Sequence, residues 1–189
     1  NGRIVALDEE LNLVAEYSEF VIADGAGLEC RDAFPDGEVT FVGAEGFTVT
    51  PDGSLYVADT MNYRVLCFSA DRQLTWVIVR PDHVLNNTGA AFDPVKIEAD
   101  SKGRIYIATN SITLGLMVFN EDGSFSHFFG ANEVLSTTQA FIKAFRKLFL
   151  SVAQLDLVEQ STPVSILNMD FDADGFCYTV SPYRDTDSK

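Results

Sequence analysis

The stretch "GFTVTPDGSLYVAD", Gly46 to Asp59, alternates apolar and polar residues on both sides of Pro51-Asp52-Gly53. Period-two alternation, a Gly turn and a second alternating run spell a β-hairpin. Two other stretches align with it without a gap: "KIEADSKGRIYIAT" (Lys96 to Thr109) and "NMDFDADGFCYTVS" (Asn168 to Ser181). Each carries a turn glycine (Gly53, Gly103, Gly175) and a tyrosine three residues later (Tyr56, Tyr106, Tyr178). The chain is therefore read as an internal repeat before anything else.

The repeat decides how to read its most acidic copy. Asp170, Asp172, Asp174 and Gly175 resemble the first half of a helix-loop-helix calcium loop, whose carboxylates alternate before a glycine. In the other copies the same positions hold Thr48 and Glu98, Thr50 and Asp100, Asp52 and Lys102. Ser181 stands where the calcium loop needs a bidentate Glu. Asp and Gly also suit a tight hairpin turn, and the turn reading is preferred. No metal ligand, catalytic residue or cofactor is assigned from the sequence.

A second hairpin follows the first. "NYRVLCFSADRQLTWVIV" (Asn62 to Val79) matches "GLMVFNEDGSFSHFFG" (Gly115 to Gly130), with Phe68 over Phe119 ahead of a polar turn. The unit is thus four antiparallel strands, a-b-c-d, the blade of a β-propeller. "NGRIVALDEELNLVAEY" (1–17) fits strands c and d, with Asn1 and Arg3 over Asn62 and Arg64. The expected fold is all-β: a partial propeller of about three blade-equivalents with one helical insertion. Its expected parts are strands c and d at 1–17, a blade at 46–79, a blade at 94–130, the helical insertion at 131–160 and strands a and b at 163–181. A closed ring takes about 4 to 8 blades, so the rest is expected from more of the same chain or from a second copy.

Composition agrees with a globular β protein: 189 residues, 47% hydrophobic, with 15 Phe and 6 Tyr. The formal net charge of −15 argues against nucleic-acid partners and leaves basic or cationic partners open. Three cysteines make no disulfide framework, and Cys67 and Cys177 sit in apolar runs that suit packing. Asn86-Asn87-Thr88 spells a glycosylation acceptor, relevant in a eukaryotic secreted protein.

The a–b and c–d turns are tight, whereas the d-to-a connections are long: 18–45, 80–93 and 130–162. Long connections and b–c loops share one face, where function tends to reside. The first connection is rich in Asp and Glu and reads as a solvated acidic loop with room for a cation or a basic partner. The third carries an amphipathic stripe, Phe141, Phe145, Leu148, Val152 and Leu155, flanked by Lys143, Arg146 and Lys147. A helix over Thr137–Val158 is expected, packed on the rim or docking a partner or membrane.

"PDGSLYVADTMNYRVLCF" (Pro51 to Phe68) resembles an NHL repeat, with Asp59, Asn62 and Arg64 at its polar positions. The resemblance implies a six-bladed propeller in which Asp and Arg brace neighbouring strands. "DSKGRIYIATN" departs from it, with Thr109 for Asp and no Arg, and "DADGFCYTVS" departs likewise. "FFGANEV" and the helix after it resemble exported bacterial NHL proteins, which implies an extracellular or cell-surface location.

The expected function is a non-catalytic binding or scaffold propeller that takes a protein partner or small ligand on the elaborated face. Its candidate residues are Asp59, Asn62, Thr109, Asn110, Tyr183, Arg184 and Asp185, read as exposed b–c loop residues, although for Asp59, as for Arg64, a structural role is preferred. The alternative is a metal-dependent hydrolase or lyase of the lactonase or amidating-lyase kind, with its site in the central channel. His83 and His127 have no metal-ligand spacing, and no Ser-His-Asp or Cys-His arrangement is suggested. His127 is expected on a strand facing a neighbouring blade.

Overall fold

The computed structural model describes residues 2–81, 89–112, 114–130 and 166–181. Their strands form four sheets in chain order. The first pairs β1 (Ile4–Leu7) with β2 (Leu13–Tyr17). The second has the order β3-β7-β6-β5-β4: β3 (Val21–Ile22), β4 (Gly46–Val49), β5 (Leu55–Asp59), β6 (Arg64–Phe68) and β7 (Gln73–Ile78). The third runs β11-β10-β9-β8: β8 (Pro94–Ala99), β9 (Ile105–Thr109), β10 (Leu116–Phe119) and β11 (Phe125–Phe129). The fourth pairs β12 (Asn168–Phe171) with β13 (Cys177–Val180). The described residues are all-β apart from one short helix, α1 (Leu28–Ala33), and one 3-10 turn (Thr60–Asn62). No sheet closes on itself among the described residues.

Successive side chains of a strand point to opposite faces, and here each face has its own core. On β5, Leu55 and Val57 enter one cluster with Phe20, Phe41, Phe68 and Leu74, against which Ile4 and Tyr17 of the first sheet pack. Tyr56 and Ala58 enter a second cluster with Ile97, Ile105, Ile107 and Phe119 of the third sheet. On β9 the alternation repeats, and Tyr106 and Ala108 turn away to meet Met169 of the fourth sheet. The middle strands are thus buried on both faces. That is why "LYVAD", "RVLCF" and "LMVF" read as near-continuous apolar runs rather than alternating ones. Each such buried side chain contributes roughly 1.5–3 kcal/mol.

The first strand of one sheet lies against the first strand of the next. β4 packs on β8, and β8 on β12. At Gly46 a Cβ would stand 2.5 Å from the Val95 carbonyl oxygen, so glycine is what lets the two backbones approach. Thr48 Oγ1 donates to Glu98 Oε2 at 3.0 Å across the same seam.

The hairpin turns repeat as the alignment requires. Gly53, Gly103 and Gly175 all have positive φ, and each donates its N–H three residues back, to Thr50, Asp100 or Asp172. Asp172 Oδ1 accepts the amides of Asp174 and Phe176, as Asp100 Oδ1 accepts those of Lys102 and Arg104. The acidic copy is built as a hairpin turn whose carboxylate holds its own backbone. In the c–d hairpins the register slips at one shared position: Ala6/Leu7, Cys67/Phe68 and Val118/Phe119. The pair β1–β2 therefore carries the same bulge as the complete sheets.

Two expectations are corrected. The first connection is not a solvated loop. Its acids Asp24, Glu29, Asp32, Asp36 and Glu38 face water, but Phe20, Cys30, Phe34, Val39 and Phe41 are buried between the first two sheets. It adds β3 parallel to the outer edge of β7, although an all-antiparallel unit was expected. His127 stands on β11 opposite Val118, on the face of the third sheet that meets the fourth, and its imidazole is exposed there with Ser126 Oγ 3.0 Å away. Cys67 packs in the core as expected, and Cys177, half-buried, packs against the cluster around Met169. No helix among the described residues is long and apolar enough to cross a membrane. The Thr137–Val158 helix, His83 and the Asn86-Asn87-Thr88 acceptor lie outside the described residues.

Candidate functional site

The corner between β5 and β6 gathers the long first connection onto one face. Asp59 ends β5 fully buried, although it was expected at the surface. Its carboxylate is enclosed by donors: Val42 N–H at 2.6 Å, Asn62 Nδ2 at 2.9 Å and Arg64 Nε at 2.8 Å. Burying a carboxylate costs least when it is paired and hydrogen-bonded in this way. Arg64 then reaches on, donating to the carbonyls of Ala33 at 3.2 Å and Thr40 at 3.4 Å. Its guanidinium lies 4.2 Å from the centre of the Phe34 ring. One ion pair thus fastens the end of α1 and the strand-like stretch before β4 to the corner. Asp59 is a brace, and its oxygens are already used.

Between Asp59 and Arg64 the chain makes one 3-10 turn ending in Tyr63, which has left-handed backbone angles. Thr60 Oγ1 donates to the Pro94 carbonyl at 2.7 Å and ties the turn to the third sheet. The turn presents Met61 and Tyr63 to solvent beside Val42, all at least half exposed. Met61 lies over Gly43, where an added Cβ would meet its Cγ at 2.6 Å. Asn62 is exposed at the same corner. The result is a small apolar and aromatic knob on a fastened base.

The corner between β9 and β10 is built differently. Thr109 was also expected at the surface and is buried, because its hydroxyl closes the loop on itself. Thr109 Oγ1 donates to the Ile112 carbonyl at 3.1 Å and accepts the Ile112 amide at 3.2 Å. Asn110 is exposed beside it. Asp93, which the sequence reading missed, accepts from the Ser111 amide at 2.9 Å and the Ser111 hydroxyl at 2.7 Å. An Asp just before a strand that opens on Pro is the signal that could have found it. Tyr183, Arg184 and Asp185 lie outside the described residues. Asn62 and Asn110 are thus the exposed members of the set among the described residues.

Among the described residues, ionisable groups elsewhere give no catalytic constellation. Thr48, Glu98 and Asp170 occupy equal repeat positions on the seam strands β4, β8 and β12. Burial pushes the Glu98 carboxyl above its ordinary value, the Thr48 hydrogen bond opposes this, and the Asp170 charge adds to it. Burial also raises the thiols of Cys30 and Cys67, which makes them poor nucleophiles. Among the described residues no three His, Cys, Asp or Glu stand close enough to hold a metal ion.

Residues 41–68 match the family model of the NHL repeat. No curated protein matches the chain. The matched stretch runs from Phe41 through β4 and β5 to the end of β6, so it contains the whole Asp59 corner.

Proposed function

We propose that this chain, which carries an NHL repeat at residues 41–68, is a non-catalytic binding or scaffold module built as an arc of a β-propeller. NHL repeats commonly serve as protein-binding scaffolds. The propeller reading is supported by four sheets in series, three of which place β4, β8 and β12 side by side. The binding face is the one that carries the long connections and the b–c corners. A protein partner contacts Met61, Tyr63, Val42 and Asn62, with Asn110 at the neighbouring corner. A basic rim on that partner meets the acids of the first connection. The reading extends to the cell surface of a bacterium.

One observation carries this reading: the Asp59–Arg64 pair spends its buried charge on holding a solvent-facing apolar knob still. A preorganised apolar anchor inside a polar rim is what an interface hot spot requires.

The test is a selection of displayed peptides against the chain, followed by affinity measurement. Enriched peptides should bind Met61→Asp at least tenfold more weakly, with the melting temperature unchanged. Equal binding to both proteins sinks the proposed face. Calcium and zinc are added in parallel to the unliganded chain. A melting temperature that rises with metal concentration would favour the metal-dependent catalyst instead.

A further inference from the structure

Tyr63 closes the 3-10 turn after β5 with φ 56° and ψ 41°, in the left-handed region. That conformation suits Gly or Asn and is unfavourable for a bulky side chain. No contact among the described residues explains a tyrosine there. Its backbone amide donates to the Thr60 carbonyl at 3.1 Å, a bond any residue but proline could make. Its side chain is more than half exposed. Among the described residues the ring meets no other ring or cation, and the hydroxyl has no hydrogen-bond partner.

Two other rings of the molecule share a guanidinium with a carboxylate. Arg64 lies 4.2 Å from the centre of the Phe34 ring while its Nε donates to Asp59 Oδ2. Arg104 lies 5.6 Å from the centre of the Tyr106 ring while its Nε donates to Asp100 Oδ2 at 2.6 Å. The corner at Tyr63 has a ring and carboxylates without the cation. The Glu45 amide donates to the Ala58 carbonyl at 3.3 Å, which sets Glu45 beside the end of β5. Met61 covers Gly43, and Glu45 follows Gly43 by two residues, a span of at most about 7 Å. Asp36 and Glu38 lie on the stretch that Arg64 holds through the Ala33 and Thr40 carbonyls. All three acids are exposed, and none forms an ion pair among the described residues. Arg64 itself is taken by Asp59, and Arg31 is the one base of the first connection.

We infer that Tyr63 is the anchor of the proposed face and that it takes a basic side chain of the protein partner, arginine in preference to lysine. The inference rests on that face and names the group that the face selects. A guanidinium lies flat on the Tyr63 ring, whose face attracts a cation. Its methylene stem runs over Met61, and its charge is turned toward Glu45. The formal net charge of −15 draws such a partner in before contact. A neutral apolar side chain would fill the same space but leave the carboxylate unanswered.

The test uses two displayed libraries of random peptides, one complete and one without Arg and Lys. Binders should come from the complete library and carry a basic residue. Tyr63→Asn should bind the selected peptide about tenfold more weakly, with a melting temperature equal to wild type or higher. Tyr63→Phe, which keeps the ring, should lose far less. Glu45→Gln should weaken binding severalfold and flatten its dependence on salt. Citrulline in place of the peptide's arginine should remove the difference between wild type and Tyr63→Asn. Binders of equal affinity from the library without Arg and Lys overturn the inference, as does a citrulline peptide that binds wild type undiminished. A Tyr63→Asn chain that melts well below wild type also overturns it, by giving the ring a role in the fold. Met61→Ala separates the two failures. If it weakens binding and Tyr63→Asn does not, the face stands and the basic anchor falls. If neither variant changes binding, the face itself falls.

Discussion

The corner after β5 holds Asp59 with donors that come from three, five and seventeen residues away. The corner after β9 holds Thr109 with Ile112 alone, three residues on. Both corners grow from the same repeat, and both bury the residue that ends the second strand. They differ in what they fasten. Asp59 and Arg64 bind the first connection, α1 and the corner into one body, whereas Thr109 closes its own loop, which Ser111 ties only to Asp93 at the start of the same sheet. A buried ion pair is costly to form, so it is found where a long segment must be held. A hydroxyl suffices where the chain merely turns.

Asp59→Asn tests that contrast most severely. The amide replaces one acceptor oxygen with a donor and leaves Arg64 nearly buried without its charge. Breaking a buried pair from one side costs about 3–5 kcal/mol. The urea midpoint should fall accordingly, and the Val42 amide should lose its protection from hydrogen exchange. A loss below about 1 kcal/mol would mean that Asp59 does not hold the connection.

Arg64→Lys keeps the charge but gives up the fork. The bonds to the Ala33 and Thr40 carbonyls and the stacking on Phe34 should go, while attraction to Asp59 remains. A loss of about 1–2 kcal/mol is expected, with faster exchange confined to α1 and the segment up to Thr40. An equal loss across the second sheet would show that the brace is local to β6.

Thr109→Val is the counterpart at the simpler corner. It leaves the Ile112 amide and carbonyl without the hydroxyl, at a cost of about 1 kcal/mol. Because the two corners share no partner, its effect should add to that of Asp59→Asn within about 0.5 kcal/mol. Strong non-additivity would mean that the corners act as one unit through Thr60 and Pro94.

The legible parts of the molecule are those governed by local rules. Gly53, Gly103 and Gly175 mark the turns because positive φ is required there. The tyrosines three residues on fix the register, and the period of two assigns each face. Leu11 and Arg72 take positive φ at the c–d turns where the third sheet has Gly123, so even that position was implicit in the alignment. The burial of Asp59 was not legible, because it depends on Val42, seventeen residues earlier, coming back across the corner. Phe20, Cys30, Phe34, Val39 and Phe41 have no common period, and acids separate them. Their burial is decided by the groove between the first two sheets rather than by any pattern of their own.

The smallest expected effect compares Thr48 with Glu98, equal positions on the facing seam strands β4 and β8. Glu98 has its carboxyl raised above the ordinary 4.5, chiefly by burial. The folded state therefore holds a proton that the unfolded chain has already released. With more protons bound in the native state, stability falls as pH rises from about 4.5 through the raised value. Asp100, two residues on, has the opposite sign. Burial would raise its carboxyl, but Arg104 and the turn amides outweigh that and hold it below the ordinary 3.8. Its contribution is present above the ordinary value and is lost as pH drops through the lowered one. Glu98→Gln keeps an acceptor for the Thr48 hydroxyl and removes the titration. The variant should match wild type near pH 4 and melt slightly higher near pH 7, while the acid loss set by Asp100 remains in both. A wild type and variant that melt alike across that interval would mean that the seam between β4 and β8 admits water freely at Glu98.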